Sequence, residues 1–78
     1  MPQLDKLVGR LRARPPEASF ADVHQLLSAY GWSIANEKGS HVTFRKAGEL
    51  PLVVVKLGGR KVKRTYIARV LERIGLDE

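Results

Sequence analysis

The chain has 78 residues and a formal net charge of +6 at pH 7. This length predicts a single domain over residues 1–78, because two separate hydrophobic cores could not be built from so few residues. Cysteine is absent, which excludes disulfides, iron–sulfur clusters and cysteine-ligated zinc. The longest aliphatic run, at 52–55, is far too short to cross a membrane, and residues 1–5 lack the pattern of a signal peptide. We therefore expect a cytoplasmic protein with no membrane contact.

The positive charge is concentrated in one stretch of the chain. Residues 1–37 carry four basic and four acidic side chains, whereas residues 38–64 carry eight basic side chains against Glu49 alone. A local basic block on a folded domain is typical of proteins that bind polyanions. The other interpretation is a basic, soluble surface without a partner, and the local concentration of charge favours nucleic acid over it.

Two amphipathic helices are predicted before residue 31. The apolar side of the first is formed by Leu4, Leu7, Val8 and Leu11. Their spacing is that of one helix face, and Pro15 and Pro16 end the helix because neither can donate a backbone hydrogen bond. The second helix has an apolar side from Phe20 to Tyr30, with Ser19 as N-cap and Gly31 as the residue that ends it.

The apolar period then changes from helical to alternating, which predicts strands. The first strand begins with Trp32 and Ile34, and the second contains Val42 and Phe44. A turn at 38–40 joins the two strands into a hairpin.

A third strand, a basic loop and a last helix complete the chain. Residues 52–55 are β-branched enough to form a buried strand, which Pro51 precedes. The glycines at 58–59 and the basic cluster after them predict a loop. The apolar side of the last helix is formed by Ile67, Val70, Leu71 and Ile74. Thr65 is the candidate cap of this helix, and Gly75 ends it.

These elements predict an α+β fold, in which helices pack on one face of a three-stranded antiparallel sheet to form a two-layer sandwich. The predicted order is helix, helix, strand, strand, strand, helix. The other sheet face can remain open to solvent, as in many antiparallel sheets. Val42 and Phe44 are expected to point inward on the second strand. Strand alternation then places His41, Thr43 and Arg45 on the open face.

The run Lys38-Gly39-Ser40-His41, which enters the strand Val42-Thr43-Phe44-Arg45, resembles the signature of the HicA toxins. These are small RNA-cleaving proteins of bacterial toxin–antitoxin systems. The run Tyr30-Gly31-Trp32 is similar to the end of the family's first helix. The resemblance covers about Ser19 to Leu76, so we expect a HicA-like core at 19–76, and residues 1–18 resemble an added N-terminal helix with a Pro-Pro turn. It implies the α-β-β-β-α fold of double-stranded-RNA-binding proteins, which agrees with the order predicted from the pattern.

The resemblance also implies an activity and a partner: an endoribonuclease that cleaves mRNA without a metal or other cofactor and is inhibited by a cognate HicB-like antitoxin. His41 would be its general acid and base, because imidazole ordinarily titrates near pH ~6.5 and such proton transfer accelerates a reaction by ~10²–10⁴-fold. Positive side chains would bind RNA and stabilise the anionic transition state. The expected RNA-binding residues are Lys38, Ser40, Arg45, Arg60, Lys61 and Lys63.

One departure from the family concerns histidine. Many relatives have a histidine soon after a proline in the third strand, whereas none follows Pro51 here. The remaining histidine, His24, is expected to be a surface residue beside the apolar side of the second helix rather than a catalytic partner. Two histidines in different elements, with no carboxylate cluster, do not provide the ligand spacing of a metal site.

A second class of function remains open, namely a non-catalytic module that binds double-stranded RNA with the same fold. Such modules have a lysine-rich cluster at the start of the last helix, which Lys61, Lys63 and Arg64 would provide. Histidine directly after Gly-Ser at the second strand favours the nuclease. A protein–protein adaptor would leave the basic block unexplained. Trp32 and Phe44 are expected in the core rather than as platforms for stacked bases.

Overall fold

Three helices and five strands make up the structure, a computed structural model that describes residues 2–76 of the chain. In chain order they are α1 (Pro2–Arg12), β1 (Glu17–Ser19), α2 (Phe20–Ala29), β2 (Ser33–Lys38), β3 (His41–Arg45), β4 (Leu52–Val55), β5 (Lys61–Lys63) and α3 (Arg64–Ile74). β2, β3 and β4 form an antiparallel sheet in that order, and β1 pairs with β5 in a second sheet. The predicted α+β class and the three-stranded sheet are confirmed. None of these helices is long and apolar enough to span a membrane.

The helix ends largely follow the signals in the sequence. The Ser19 hydroxyl accepts a hydrogen bond from the Asp22 backbone N–H at 3.1 Å, which confirms Ser19 as the N-cap of α2. Gly31 and Gly75, just after α2 and α3, have φ angles of 89° and 81°, a left-handed conformation that glycine tolerates. The predicted cap of α3 is wrong, because β5 runs directly into the helix and Thr65 already lies within it.

The hydrophobic core lies between the helices and the inner face of the three-stranded sheet, and α1 contributes to it. Its buried side chains are Leu7, Leu11, Val23, Leu26, Leu27, Trp32, Val42, Phe44, Leu52, Val54, Val62, Ile67, Val70 and Leu71. Leu7 and Leu11 of α1 are only 1% and 2% exposed. The segment that resembles an added N-terminal helix therefore contributes side chains to the hydrophobic core. Trp32 and Phe44 are buried as predicted, so neither ring is available to an RNA base.

The three-stranded sheet has one face on the core and one face open to solvent, called here the outer face. On β3, Val42 and Phe44 are fully buried, and on β4 the buried residues are Leu52 and Val54. The alternate residues of both strands therefore point away from the core. This confirms the predicted outward direction of His41, Thr43 and Arg45.

β2 is an edge strand, and a β-bulge changes which of its side chains lie on the outer face. Ile34 pairs with an inward-pointing residue of β3, whereas Asn36 pairs with Thr43, so Ala35 is the extra residue. With strict alternation from Ile34, Asn36 and Lys38 would lie on the inner side of the sheet. Because of the bulge, both lie on the outer face.

The predicted basic loop after residue 58 is wrong in its second half. Residues 61–63 form β5, which pairs antiparallel with β1. Ala18 lies opposite Val62, whose side chain is fully buried. Val62 lies between two lysines and is the only apolar residue of this strand. One apolar residue does not produce an alternating pattern that could be recognised in the sequence.

Candidate functional site

His41 lies at the start of β3, directly after the two-residue turn Gly39–Ser40. Gly39 has a φ of 60°, a left-handed conformation suited to so short a connection between antiparallel strands. The backbone oxygen of Ser40 accepts a hydrogen bond from the backbone N–H of Lys56 at 2.8 Å, which ties the turn to the residue after β4. The His41 side chain is exposed, and it forms no hydrogen bond or ion pair within residues 2–76. Its ring nitrogens are therefore accessible to a ligand.

The strand register places a positive and an apolar side chain on the two sides of His41. Lys38 on β2 and Val55 on β4 both pair directly with His41. Directly opposed residues of an antiparallel pair share one face, with Cβ atoms about 4.5–5.5 Å apart. The structure therefore brings together His41 and Lys38, two of the residues that the sequence predicts for the site.

Two further rows of residues complete the outer face. The row next to His41 contains Asn36, Thr43 and Val53, and the last row contains Ser33 and Arg45. Arg45 is four residues from His41 along β3, which corresponds to about 13 Å. It shares the face with His41 but not its immediate surroundings, so a ligand that contacts both must be extended.

Arg60, Lys61 and Lys63 form a second basic area, called here the β5 basic area, which comprises the turn residue before β5 and two residues of β5 in the two-stranded sheet. Lys61 and Lys63 are exposed on the side of β5 opposite to the buried Val62. The backbone oxygen of Arg60 accepts a hydrogen bond at 2.6 Å from the N–H of the first residue of α2. Leu57, two residues after β4, pairs with Lys61 and connects the two sheets. These three predicted residues lie together at β5, away from the sheet that contains His41.

Some residues of the basic block bind other parts of the chain. The Lys56 ammonium is 2.5 Å from the Glu37 carboxylate and 4.9 Å from the centre of the Phe20 ring, and its side chain is only 13% exposed. The Arg64 guanidinium donates a hydrogen bond to the Arg14 backbone oxygen at 2.8 Å. These charges stabilise the fold, so the block offers a partner fewer charges than its sequence suggests. The sequence composition does not show which of these charges are used in contacts within the chain.

His24 packs on the core side of the sheet. Its ring centre is 5.8 Å from that of Phe20 and 5.7 Å from that of Phe44. Phe44 points into the core whereas His41 points to solvent, so the two histidines lie on opposite sides of the sheet. His24 therefore serves an aromatic contact and does not form a proton-transfer pair with His41.

The groups that the site contributes are an imidazole, an ammonium group, an amide and a hydroxyl. They belong to His41, Lys38, Asn36 and Thr43. Over the part of the chain that the structure describes, no three histidine, cysteine or acidic side chains lie close enough to hold a metal ion. What these groups can do is transfer protons, neutralise a phosphate and form hydrogen bonds.

Comparison with known proteins assigns the family. No curated protein and no solved structure matches the chain. The model of the family described as the HicA toxin of bacterial toxin-antitoxin matches residues 20–76, which is most of the chain and includes His41, Lys38 and the β5 basic area. The match does not extend over α1 and β1. The chain therefore belongs to the HicA toxin family, the toxins of bacterial toxin–antitoxin pairs.

Proposed function

We propose that the protein is an endoribonuclease in which His41 transfers the protons of the cleavage reaction. The observation that carries the proposal is the exposed imidazole of His41, which binds no other described residue and lies directly across from Lys38. The run from Lys38 to His41 is also the element that resembles the family signature. RNA is the proposed substrate because exposed positive side chains occur both beside His41 and in the β5 basic area.

The proposed reaction requires one proton to be removed and one to be supplied. The ribose 2′-oxygen attacks the adjacent phosphorus, and the 5′-oxygen of the next nucleotide leaves, which produces a 2′,3′-cyclic phosphate and a 5′-hydroxyl. The attack releases the proton of the 2′-hydroxyl, and the departure consumes a proton. A single imidazole can serve both steps, since His41 can accept the first proton and return it to the leaving oxygen. The reaction as proposed uses no metal ion.

Lys38 is proposed to stabilise the negative charge that develops on the phosphate oxygens. Its ammonium group is a point charge on a flexible stem, and a positive group aimed at developing charge lowers the barrier. On the other side of His41, Val55 has no proton to exchange. His24 lies on the opposite side of the sheet. These neighbours support the assignment of both proton transfers to His41.

The partner implied by the family is an antitoxin, and we propose a HicB-like protein that covers the outer face. The helices already occupy the inner face, which leaves the outer face and the β5 basic area accessible. An acidic partner is attracted to such a positive surface, and this attraction raises the association rate more reliably than the affinity. The antitoxin would bury His41 and contact at least some of Arg45, Arg60, Lys61 and Lys63.

RNA cleavage by His41→Ala tests the proposal, with His24→Gln as the matched histidine control. We expect His41→Ala to keep its circular dichroism spectrum but to lose at least about 100-fold in cleavage rate and to lose growth inhibition. His24→Gln should keep both activities, and cleavage by the wild type should persist in EDTA. Cleavage by His41→Ala at the parental rate would overturn the proposal. A wild-type protein that binds double-stranded RNA but never cleaves it would support the non-catalytic module instead.

A further inference from the structure

We propose that Asn36 and Thr43 form a subsite that reads one RNA base beside the scissile bond and so sets the sequence preference of cleavage. The inference rests on the proposed ribonuclease function. It adds a recognition role for two residues of the outer face that the sequence did not predict as RNA-binding.

Asn36 and Thr43 occupy the row next to His41. Asn36 on β2 pairs directly with Thr43 on β3, and Thr43 pairs with Val53 on β4. Thr43 is two residues from His41, which corresponds to about 6.6 Å along the strand. A phosphate held at His41 therefore places a neighbouring nucleotide over this row.

The β-bulge at Ala35 is what brings Asn36 to the outer face. Without the extra residue, Asn36 would follow Ile34 onto the inner side of the sheet, and so would Lys38. Bulges occur preferentially at sheet edges and beside active sites, where they redirect a side chain. Here one bulge redirects two polar side chains, so that Lys38 lies across from His41 and Asn36 lies across from Thr43.

The chemistry of this row suits the edge of a base. The Asn36 amide offers a hydrogen-bond donor and an acceptor side by side, and the Thr43 hydroxyl can act as either. Neither side chain forms a hydrogen bond within the described part of the chain, so these groups are available to a ligand. Val53, which is 41% exposed, provides an apolar surface at the end of the row for packing of the sugar or base. Proteins read single-stranded RNA through hydrogen bonds of this kind to unstacked bases.

Cleavage of an RNA pool randomised around the scissile bond tests the subsite. The variants are Asn36→Ala and Thr43→Val, and the matched control is Ser33→Ala, because Ser33 lies on the same face of β2 but in the row of Arg45. We expect the wild type to favour one base at one position, and Asn36→Ala to reduce that preference by about ten-fold or more. Ser33→Ala should keep it. The preference is measured as the ratio of the rates on the most and least favoured sequences, so a loss of rate that is equal on all sequences does not change it.

The outcomes separate the subsite from the nuclease. A wild-type base preference that persists in both Asn36→Ala and Thr43→Val would overturn the subsite and leave the nuclease intact. A wild-type enzyme that cleaves without any preference would overturn it as well. Equal loss of rate on every sequence, with the preference unchanged, would assign the row to phosphate binding or folding instead. A wild type that does not cleave RNA would overturn the proposed function, and the subsite with it.

Discussion

Replacing Leu11 by alanine tests whether α1 is an integral part of the folded core. Leu11 is 2% exposed and belongs to the same buried cluster as side chains of α2, α3 and the sheet. A leucine-to-alanine change in a core costs about 2–5 kcal/mol, because the buried surface is lost and a cavity remains. We expect about 3 kcal/mol here, since a helix packed at the side of the core can move inward and close part of the cavity.

This loss is large relative to the stability of so short a chain. A folded chain of this length has a free energy of unfolding of roughly 4–12 kcal/mol. In domains of this size each kcal/mol lowers the melting temperature by about 4–8 °C, so Leu11→Ala should melt about 12–24 °C below the wild type. Lys6→Ala is the matched control, because Lys6 is exposed on the same helix and its replacement should change stability by about 0.5 kcal/mol or less.

Urea unfolding and thermal melting, both followed by circular dichroism, measure the difference. A loss in Leu11→Ala no greater than that in Lys6→Ala would refute the packing of α1 described above. A split transition of Leu11→Ala, in which part of the helical signal is lost at lower temperature and the rest melts as in the wild type, would also refute this packing. Such a result would mean that α1 docks on a core that is complete without it.

Three other predictions follow from single contacts or exposed charges. Ser19→Ala should lower the free energy of unfolding by about 1 kcal/mol through loss of the hydroxyl that caps α2, whereas Ser28→Ala, exposed near the other end of that helix, should change it little. RNA binding by the His41→Ala variant, measured by fluorescence anisotropy, should weaken as salt is added. About four to six phosphate contacts should give a slope of roughly −3 to −4 in log K against log salt, and a slope near zero would mean that the basic residues do not contact the RNA. Charge reversal at Arg60 and Lys61 should weaken RNA and antitoxin binding together without lowering the melting temperature, because both side chains are exposed. Loss of RNA binding alone would mean that the antitoxin binds elsewhere.

The helices and strands that the sequence predicted correctly are those in which several signals within the same element agree. α2 begins at a serine cap, carries one apolar side and ends before a glycine, so each signal supports the same helix. β3 alternates over its whole length, with Val42 and Phe44 buried between exposed or half-buried neighbours. The outward direction of His41 therefore followed from two apolar residues and the period of a strand.

The sequence patterns did not predict features that arise from contacts between residues distant in the chain. The bulge at Ala35 exists only relative to the register of β3, so the sequence of β2 alone does not show that Asn36 faces outward. The contact of Lys56 with Glu37 likewise depends on the position of β4 beside the β2–β3 hairpin. By composition alone, Lys56 is a positive charge available to a partner, whereas in the folded chain it forms an ion pair with Glu37.

The β5 basic area depends on a segment that lies outside the family match. Lysine is depleted in strands, yet two of the three residues of β5 are lysines. The strand forms because Val62 enters the core and β1 supplies its backbone partners. Ala18 of β1 packs against the hydrophobic core, and the backbone oxygen of Pro16, just before β1, accepts a hydrogen bond of 3.0 Å from the Arg64 N–H. The matched region, 20–76, contains β5 but not β1. The position of this charge therefore depends on the pairing of β5 with β1, a strand that the N-terminal segment of this chain supplies.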